Sequence, residues 1–283
     1  MLSINCKGRL ITFDIPLVMG IINTTPDSFY KGSRKENVET VIQTAERMLV
    51  EGATILDVGG QSTRPGSTRV PVDEELKRTI PAIEAIANAF PNAFISADTF
   101  YAKVAEEAVA AGASMVNDVS AGSVNDALLE TVGRLGVPYV LMHMQGDPQT
   151  MQQNPVYNNV VLEVFDYLNF KIKSLTEAGV KDIIIDPGFG FGKTAEHNLQ
   201  ILQQLDYFKK LGLPLLIGLS RKATIYKTLG ITADEALNGT TVLNTISLLK
   251  GADILRVHDV KEAVEAVKLV QAFKYSSKNK AAL

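Results

Sequence analysis

Eight short apolar runs punctuate the chain: "PLVMGIIN", "TILDVGG", "FISADT", "SMVNDVS", "PYVLMH", "DIIIDPG", "PLLIGLS" and "DILRVH". Each is nearly continuous in apolar residues instead of alternating, which is the pattern of a strand covered on both faces. Between them, apolar positions recur at the helical period over 38–49, 74–89, 102–111, 160–178 and 263–273. Glycine stands where the chain leaves a helix for the next strand, at Gly52, Gly112, Gly136, Gly179, Gly212 and Gly251. Eight strand runs alternating with helical patterns, with glycine stops at six of the joints, predict an α/β fold of the (β/α)8 TIM-barrel kind. An open doubly wound sheet alternates in the same way and is the competing architecture. The 283 residues suit one barrel, and no linker divides them, so residues 1–283 read as a single domain. Segment 3–13 alternates and turns at Lys7-Gly8, which predicts a β-hairpin closing the bottom of the barrel. The polar tail 274–283 is expected to fray.

Composition narrows the partners. A net charge of −3, with both signs dispersed, argues against nucleic acid and against an anionic membrane surface, which leaves small molecules. The single cysteine, Cys6, cannot form an intrachain disulfide, which fits the reducing cytoplasm. No apolar run approaches the roughly 18 residues of a membrane span, and the first residues lack the order of a signal peptide.

Every apolar run ends in polar residues: Asn23, Asp57, Asp98, Asn117 with Asp118, His143, Asp186, Ser220-Arg221-Lys222, and Arg256 with His258. A charge at the end of a buried strand is costly unless paired or bound, and a barrel gathers these ends on the face where active sites sit. Asp57 and Asp118 are read as caps of the turns that follow and left outside the site. Asp98 and Asp186 are read as site residues, because no helix start follows Asp186 directly. The stretch "IDPGFGFGKT" resembles a phosphate loop, but Pro187 stands where the first glycine of that motif must be, so the match fails. Lys193 reads equally well as a solvated charge or as part of the site, and His143 as a core histidine or a ligand. The three histidines show no zinc spacing. Two long loops, 23–33 and 59–71, carry hydroxyls, amides and an arginine that suit an anion such as pyrophosphate, faced by Arg256 and His258. Asn23 and Asp27 add oxygens for Mg2+, which needs few protein ligands when phosphates supply the rest.

Together, "MGIINTTPDSF", "DVGGQSTRPG", "SADT", "VNDVS", "HMQG", "DPGFGFGK", "GLSRK" and "RVHDV" resemble the dihydropteroate synthase family, with about one motif at each strand end. The resemblance implies a TIM barrel that condenses 6-hydroxymethyl-7,8-dihydropterin pyrophosphate with p-aminobenzoate, and it implies sulfonamides as inhibitors. By position it places Asp98, Asn117, Asp186 and Lys222 on the pterin, with Phe191 near the ring. It places Asn23, Thr63, Arg256 and His258 on pyrophosphate and Mg2+, and Arg64, Pro65, Phe29, Ser220 and Lys222 around p-aminobenzoate. Arg221 is a supporting residue, and a homodimer formed through outer helices is implied. The sequence departs from the family pattern at Lys31, Gln61 and Ala97. A methyltetrahydrofolate-dependent methyltransferase shares the barrel but has no need of "STRPG" or "SRK". A noncatalytic homologue has no need of Asn23, Arg64, Lys222, Arg256 and His258.

Overall fold

The computed structural model describes residues 2–25, 34–61, 67, 69–146, 151 and 154–278. An antiparallel hairpin, β1 (Ser3–Cys6) and β2 (Arg9–Thr12), precedes eight parallel strands: β3 (Leu17–Asn23), β4 (Ile55–Gly59), β5 (Phe94–Asp98), β6 (Met115–Asp118), β7 (Tyr139–Met142), β8 (Ile183–Asp186), β9 (Leu216–Ile217) and β10 (Ile254–Val257). Their order is β8-β7-β6-β5-β4-β3-β10-β9. The ring closes through a parallel bridge between Ile185 and Leu215, with the Ile185 N–H donating to the Pro214 carbonyl at 2.9 Å. Eight parallel strands in a closed ring with helices outside make a TIM barrel, and the open sheet is excluded.

The helices are α1 (Arg34–Glu51), α2 (Val72–Ala89), α3 (Ala102–Ala110), α4 (Ala127–Leu135), α5 (Val160–Glu177), α6 (Ala195–Gln203), α7 (Ala223–Leu229), α8 (Leu237–Leu249) and α9 (Val260–Lys278). The repeat is not uniform, since β9 is followed by two helices instead of one. Among the described residues no helix is long and apolar enough to cross a membrane. The tail expectation fails in part: α9 continues to Lys278. Buried Val267 and Val270 seat it, and the Lys274 ammonium donates to the Leu248 carbonyl at 3.0 Å, so polar composition did not end the helix.

Side chains of a strand alternate between barrel interior and helix layer. Met19, Ile55, Met115, Val140, Ile184, Leu216 and Ile254 form one buried interior cluster, and the hairpin adds Ile4, Cys6 and Ile11 to it from below. The hairpin therefore closes the floor. Its turn needs two left-handed residues, and Lys7 (φ 54) with Gly8 (φ 85) supplies them. Arg9 donates to the carbonyls of Asn92 (2.9 Å) and Ala93 (3.0 Å) and lies over the Phe94 ring, which fastens the plug to the barrel.

Asp118 points the other way, into the helix layer. It accepts from the Tyr139 hydroxyl at 2.6 Å and from the N–H groups of Ser120 and Gly122 at 2.7 Å each, so it caps its own turn. Tyr139→Phe leaves one buried carboxylate oxygen short of a donor and should destabilise the fold by about 1.5–3 kcal/mol, the scale of a hydrogen bond to a charged group. A lowered Tm in a thermal melt is the expected result, and an unchanged Tm would contradict this account of Asp118.

Candidate active site

The inward register that builds the floor continues upward. Strand pairing aligns Ile21 with Asp57, Asp57 with Ser96, Asp98 with Asn117, and Met142 with Asp186. Above the apolar floor the barrel thus carries Asp57, Asp98, Asn117, Asp186 and Arg256. Gly59 makes room for this layer, because a Cβ there would lie 3.0 Å from that of Asp98.

Arg256 ties the layer together. Its Nε donates to Asp57 at 2.6 Å and its Nη2 to Asp98 at 2.6 Å, while the Asn117 amide donates to the same Asp57 oxygen at 3.0 Å. Burial acts to lower the Arg256 pKa, but the two carboxylates overcome it and hold the guanidinium above its usual value. Among the described residues the other Asp57 oxygen, Oδ1, is buried with no hydrogen-bond partner, and so is the hydroxyl of Ser96 beside it in the ladder. Burial pushes Asp98 up to about 7; Arg256 opposes that shift and Asp57 adds to it.

Asp57 was expected to cap a turn and lie outside the site, but the structure places it within. The missed signal was parity. Asp57 lies two residues from inward-facing Ile55, whereas Asp118 follows inward-facing Asn117 by one and so turns outward.

On the opposite side, Asp186 has two roles. One oxygen accepts from the Gly188 N–H at 2.7 Å and so organises the turn. The other faces Lys222, the charge that does most to offset the upward effect of burial on the Asp186 pKa. Lys222 lies over the Phe191 ring with its ammonium 4.4 Å from the centroid, and it donates to the Phe189 carbonyl. Burial brings Lys222 down to about 8, partly offset by Asp186. Phe191 joins Phe100, Val119, Met142 and Met151 in an apolar cluster beside this charged group.

At the mouth, the Ser220 hydroxyl accepts from the His258 backbone N–H at 3.2 Å and contacts its ring Nδ1 at 3.0 Å, which joins the end of β10 to the β9 turn. Arg221 points away, forking onto Asp259 at 2.8 and 2.9 Å and onto the Asp234 carbonyl at 2.7 Å, as a brace. Asn23 ends β3 half-buried. Lys193 is neither solvated nor in the pit. It is buried and donates to the carbonyls of Gly188 (2.9 Å), Phe191 (3.0 Å) and His143 (3.3 Å), with His143 Nδ1 2.8 Å away. Burial and Lys193 push His143 down to about 2, so it is a neutral core histidine. Phe29, Thr63, Arg64, Pro65 and Asp27 lie outside the described residues.

Among the described residues no group of three His, Cys, Asp or Glu side chains could hold a metal ion alone. Asn23 can offer one amide oxygen, which suits only an ion whose remaining ligands come with an anionic substrate.

A barrel mouth that sets acids and amides beside cations around an apolar-sided pit is the site of an enzyme for a flat polar heterocycle, and the comparisons with known proteins agree. Residues 19–258 match the family described as "Pterin binding enzyme". The dihydropteroate synthase of Escherichia coli K12 is 44% identical over 276 residues, spanning 97% of both chains. The crystal structure of the Yersinia pestis dihydropteroate synthase with a sulfonamide drug complex superimposes with a TM-score of 0.91 at 39% identity, covering 97% of this chain and 100% of that one. That of Xanthomonas albilineans with 4-aminobenzoic acid gives a TM-score of 0.90 at 43% identity, covering 96% and 98%. The chain belongs to the dihydropteroate synthase family of pterin-binding enzymes.

The Asp98 shift has a measurable sign. A carboxyl whose pKa is raised on folding stabilises the fold at low pH, and that stabilisation is lost as pH rises through the folded value. Measured against wild type, Asp98→Asn should therefore gain in Tm as pH rises from about 4 to 7. A Tm difference that stays flat over that range would show that Asp98 titrates normally.

Proposed function

We propose that this protein is a dihydropteroate synthase, joining 6-hydroxymethyl-7,8-dihydropterin pyrophosphate to p-aminobenzoate and releasing 7,8-dihydropteroate and pyrophosphate. The observation that carries this reading is the pit itself, where five strands and the β9 turn bring Asp57, Asp98, Asn117, Asp186, Lys222 and Arg256 together above an apolar floor. A pterin presents adjacent N–H donors on its amino-pyrimidine edge, and carboxylates accept such donors in pairs. Buried acceptors without partners, such as Asp57 Oδ1, favour a ligand of that kind. Lys222 and the Asn117 amide supply donors for the carbonyl and ring nitrogens, with Phe191 against the ring.

In the reaction we propose, the methylene C–O bond breaks first and its electron pair leaves with pyrophosphate. The resulting cation is delocalised into the pterin, where the Asp98 and Asp186 carboxylates stabilise it. The aniline nitrogen of p-aminobenzoate then forms the C–N bond with its lone pair and passes one proton to the departing pyrophosphate or to solvent. Arg256 serves the leaving group through Nη1, since Nε and Nη2 are engaged with Asp57 and Asp98, and His258 joins it at the mouth. Mg2+, held by Asn23 and Asp27 together with the diphosphate, would supply further charge neutralisation for the leaving group. The family resemblance assigns Arg64, Pro65, Phe29, Ser220 and Lys222 to p-aminobenzoate and Thr63 to the pyrophosphate group. The lone, buried Cys6 supports a reducing cytoplasmic setting.

The decisive assay is pyrophosphate release by purified protein given both substrates, and no release from folded protein would reject the function. Within it, Asp186→Asn should weaken pterin binding by about 1.5–3 kcal/mol in calorimetry, and unchanged affinity would count against the clamp.

The homodimer is part of the same proposal. Val242, Ile246 and Leu249 on α8 and Leu269 and Phe273 on the adjacent α9 are exposed apolar residues, which supports an isologous interface through these helices. Phe273→Glu should shift sedimentation from dimer to monomer, and a wild-type monomer would sink the assignment.

A further inference from the structure

We infer that Arg221 and Asp259 form a positioning pair, which holds the turn carrying Ser220 and Lys222 at a fixed spacing from the strand end carrying Arg256 and His258. The inference rests on the functional reading above for what those two groups of residues bind. Arg221 stands between two site residues in the chain, and its backbone lies in the left-handed region at φ 54°. A residue other than glycine adopts that conformation at a cost, and it persists where surrounding contacts impose it, often beside a functional site. Here the contacts come from three directions. The Arg221 N–H donates to the Thr240 hydroxyl at 3.0 Å, and that hydroxyl is fixed in turn by donating to the Ala236 carbonyl at 2.8 Å. The Lys222 N–H closes the turn on the Leu219 carbonyl at 3.2 Å. The guanidinium, directed away from the pit, forks onto both oxygens of Asp259, and its Nη1 donates to the carbonyls of Ala233 and Asp234.

Asp259 directly follows His258, so the ion pair runs alongside a second link. Ser220 meets His258 through its hydroxyl, and the next residue on each side, Arg221 and Asp259, is joined by the fork. Two adjacent rungs thus tie the β9 turn to the end of β10, so neither segment can swing about a single contact. A lone surface ion pair contributes little, but this one is two-pronged and its side chains are only 25% and 19% exposed, which favours one fixed geometry. The spacing it sets matters for a substrate that spans both segments. Lys222, over the Phe191 ring, belongs to the heterocycle side, and Arg256 with His258 to the diphosphate side. The bond that breaks lies between those halves. A small shift of one segment against the other therefore misaligns the reacting atoms while each half of the site still binds its own part of the substrate.

The test compares wild type with Arg221→Met, Arg221→Gly and Arg221→Lys. Methionine loses the fork and keeps the left-handed cost; glycine loses the fork and removes that cost, so it provides a folded variant if methionine does not. Lysine reaches a carboxylate as a point charge without the fork. Saturated kcat for pyrophosphate release should fall about ten-fold in Arg221→Met and Arg221→Gly and by less in Arg221→Lys. Calorimetric affinities for pyrophosphate alone and for a pterin alone should stay within about two-fold of wild type. A loss of folded protein would instead lower rate and both binding stoichiometries together. A kcat within two-fold of wild type in folded Arg221→Gly would overturn the inference, as would a loss of affinity for either half that matches the loss of kcat. Amide hydrogen exchange at His258, whose N–H the Ser220 hydroxyl accepts, needs no substrate and should quicken in Arg221→Met and Arg221→Gly. If wild type releases no pyrophosphate, it is the functional reading that fails, and His258 exchange alone then judges the pair: unchanged protection in Arg221→Gly rejects it.

Discussion

Everything at the mouth of this barrel depends on one guanidinium held between two carboxylates. Closing eight strands into a ring forces every second residue inward, and apolar side chains fill the interior only as far as the floor. Above that level the interior holds Asp57, Asp98, Asn117, Asp186 and Arg256, groups that water would otherwise solvate. Arg256, bonded at 2.6 Å to both Asp57 and Asp98, lets three charges occupy one desolvated layer. A buried ion triad of this sort is poor evidence of stability, because desolvation can exceed the Coulombic gain. Its retention makes better sense as preorganisation: acceptors and a cation already in place for a polar heterocycle and its anionic leaving group.

Preorganisation also explains why the titrations at this site move toward neutrality. Asp98 rises to about 7 and Lys222 falls to about 8, in each case chiefly through burial.

Much of this was legible in the sequence, because buried strands and amphipathic helices leave periodic traces. The eight runs, the hairpin at Lys7-Gly8 and the polar strand ends all announced themselves. What escaped was whatever depends on which way a side chain turns. Asp57 and Asp118 look alike as acids at strand ends, yet one lies in the pit and the other caps a turn beneath the helices. Lys193 reads as a loop charge until the fold surrounds it with carbonyl oxygens. The extension of α9 escaped for a different reason: tertiary packing of Val267 and Val270 outweighed the polar composition of the residues that follow. Asn23 is placed at its strand end, while Phe29, Thr63, Arg64 and Pro65 stay with the sequence argument.

The turn that resembled a phosphate loop shows how a glycine-rich motif can arise from packing alone. At Gly188, φ is +72°, and a Cβ would fall 1.9 Å from the His143 carbonyl oxygen, so no larger residue fits. That close approach brings the carbonyls of Gly188, Phe191 and His143 around one point, and the Lys193 ammonium occupies it. Burial pulls the Lys193 pKa well below the usual lysine value, yet its amine, ringed by backbone oxygens, fixes the turn, and Lys193 is one of the groups that partly offset the upward effect of burial on Asp186. With the turn fixed, the Phe189 carbonyl and the Phe191 ring are set where Lys222 meets both. The glycines thus serve the heterocycle site at one remove: they admit the lysine that locks the backbone, and the backbone aims the lysine that faces the pit.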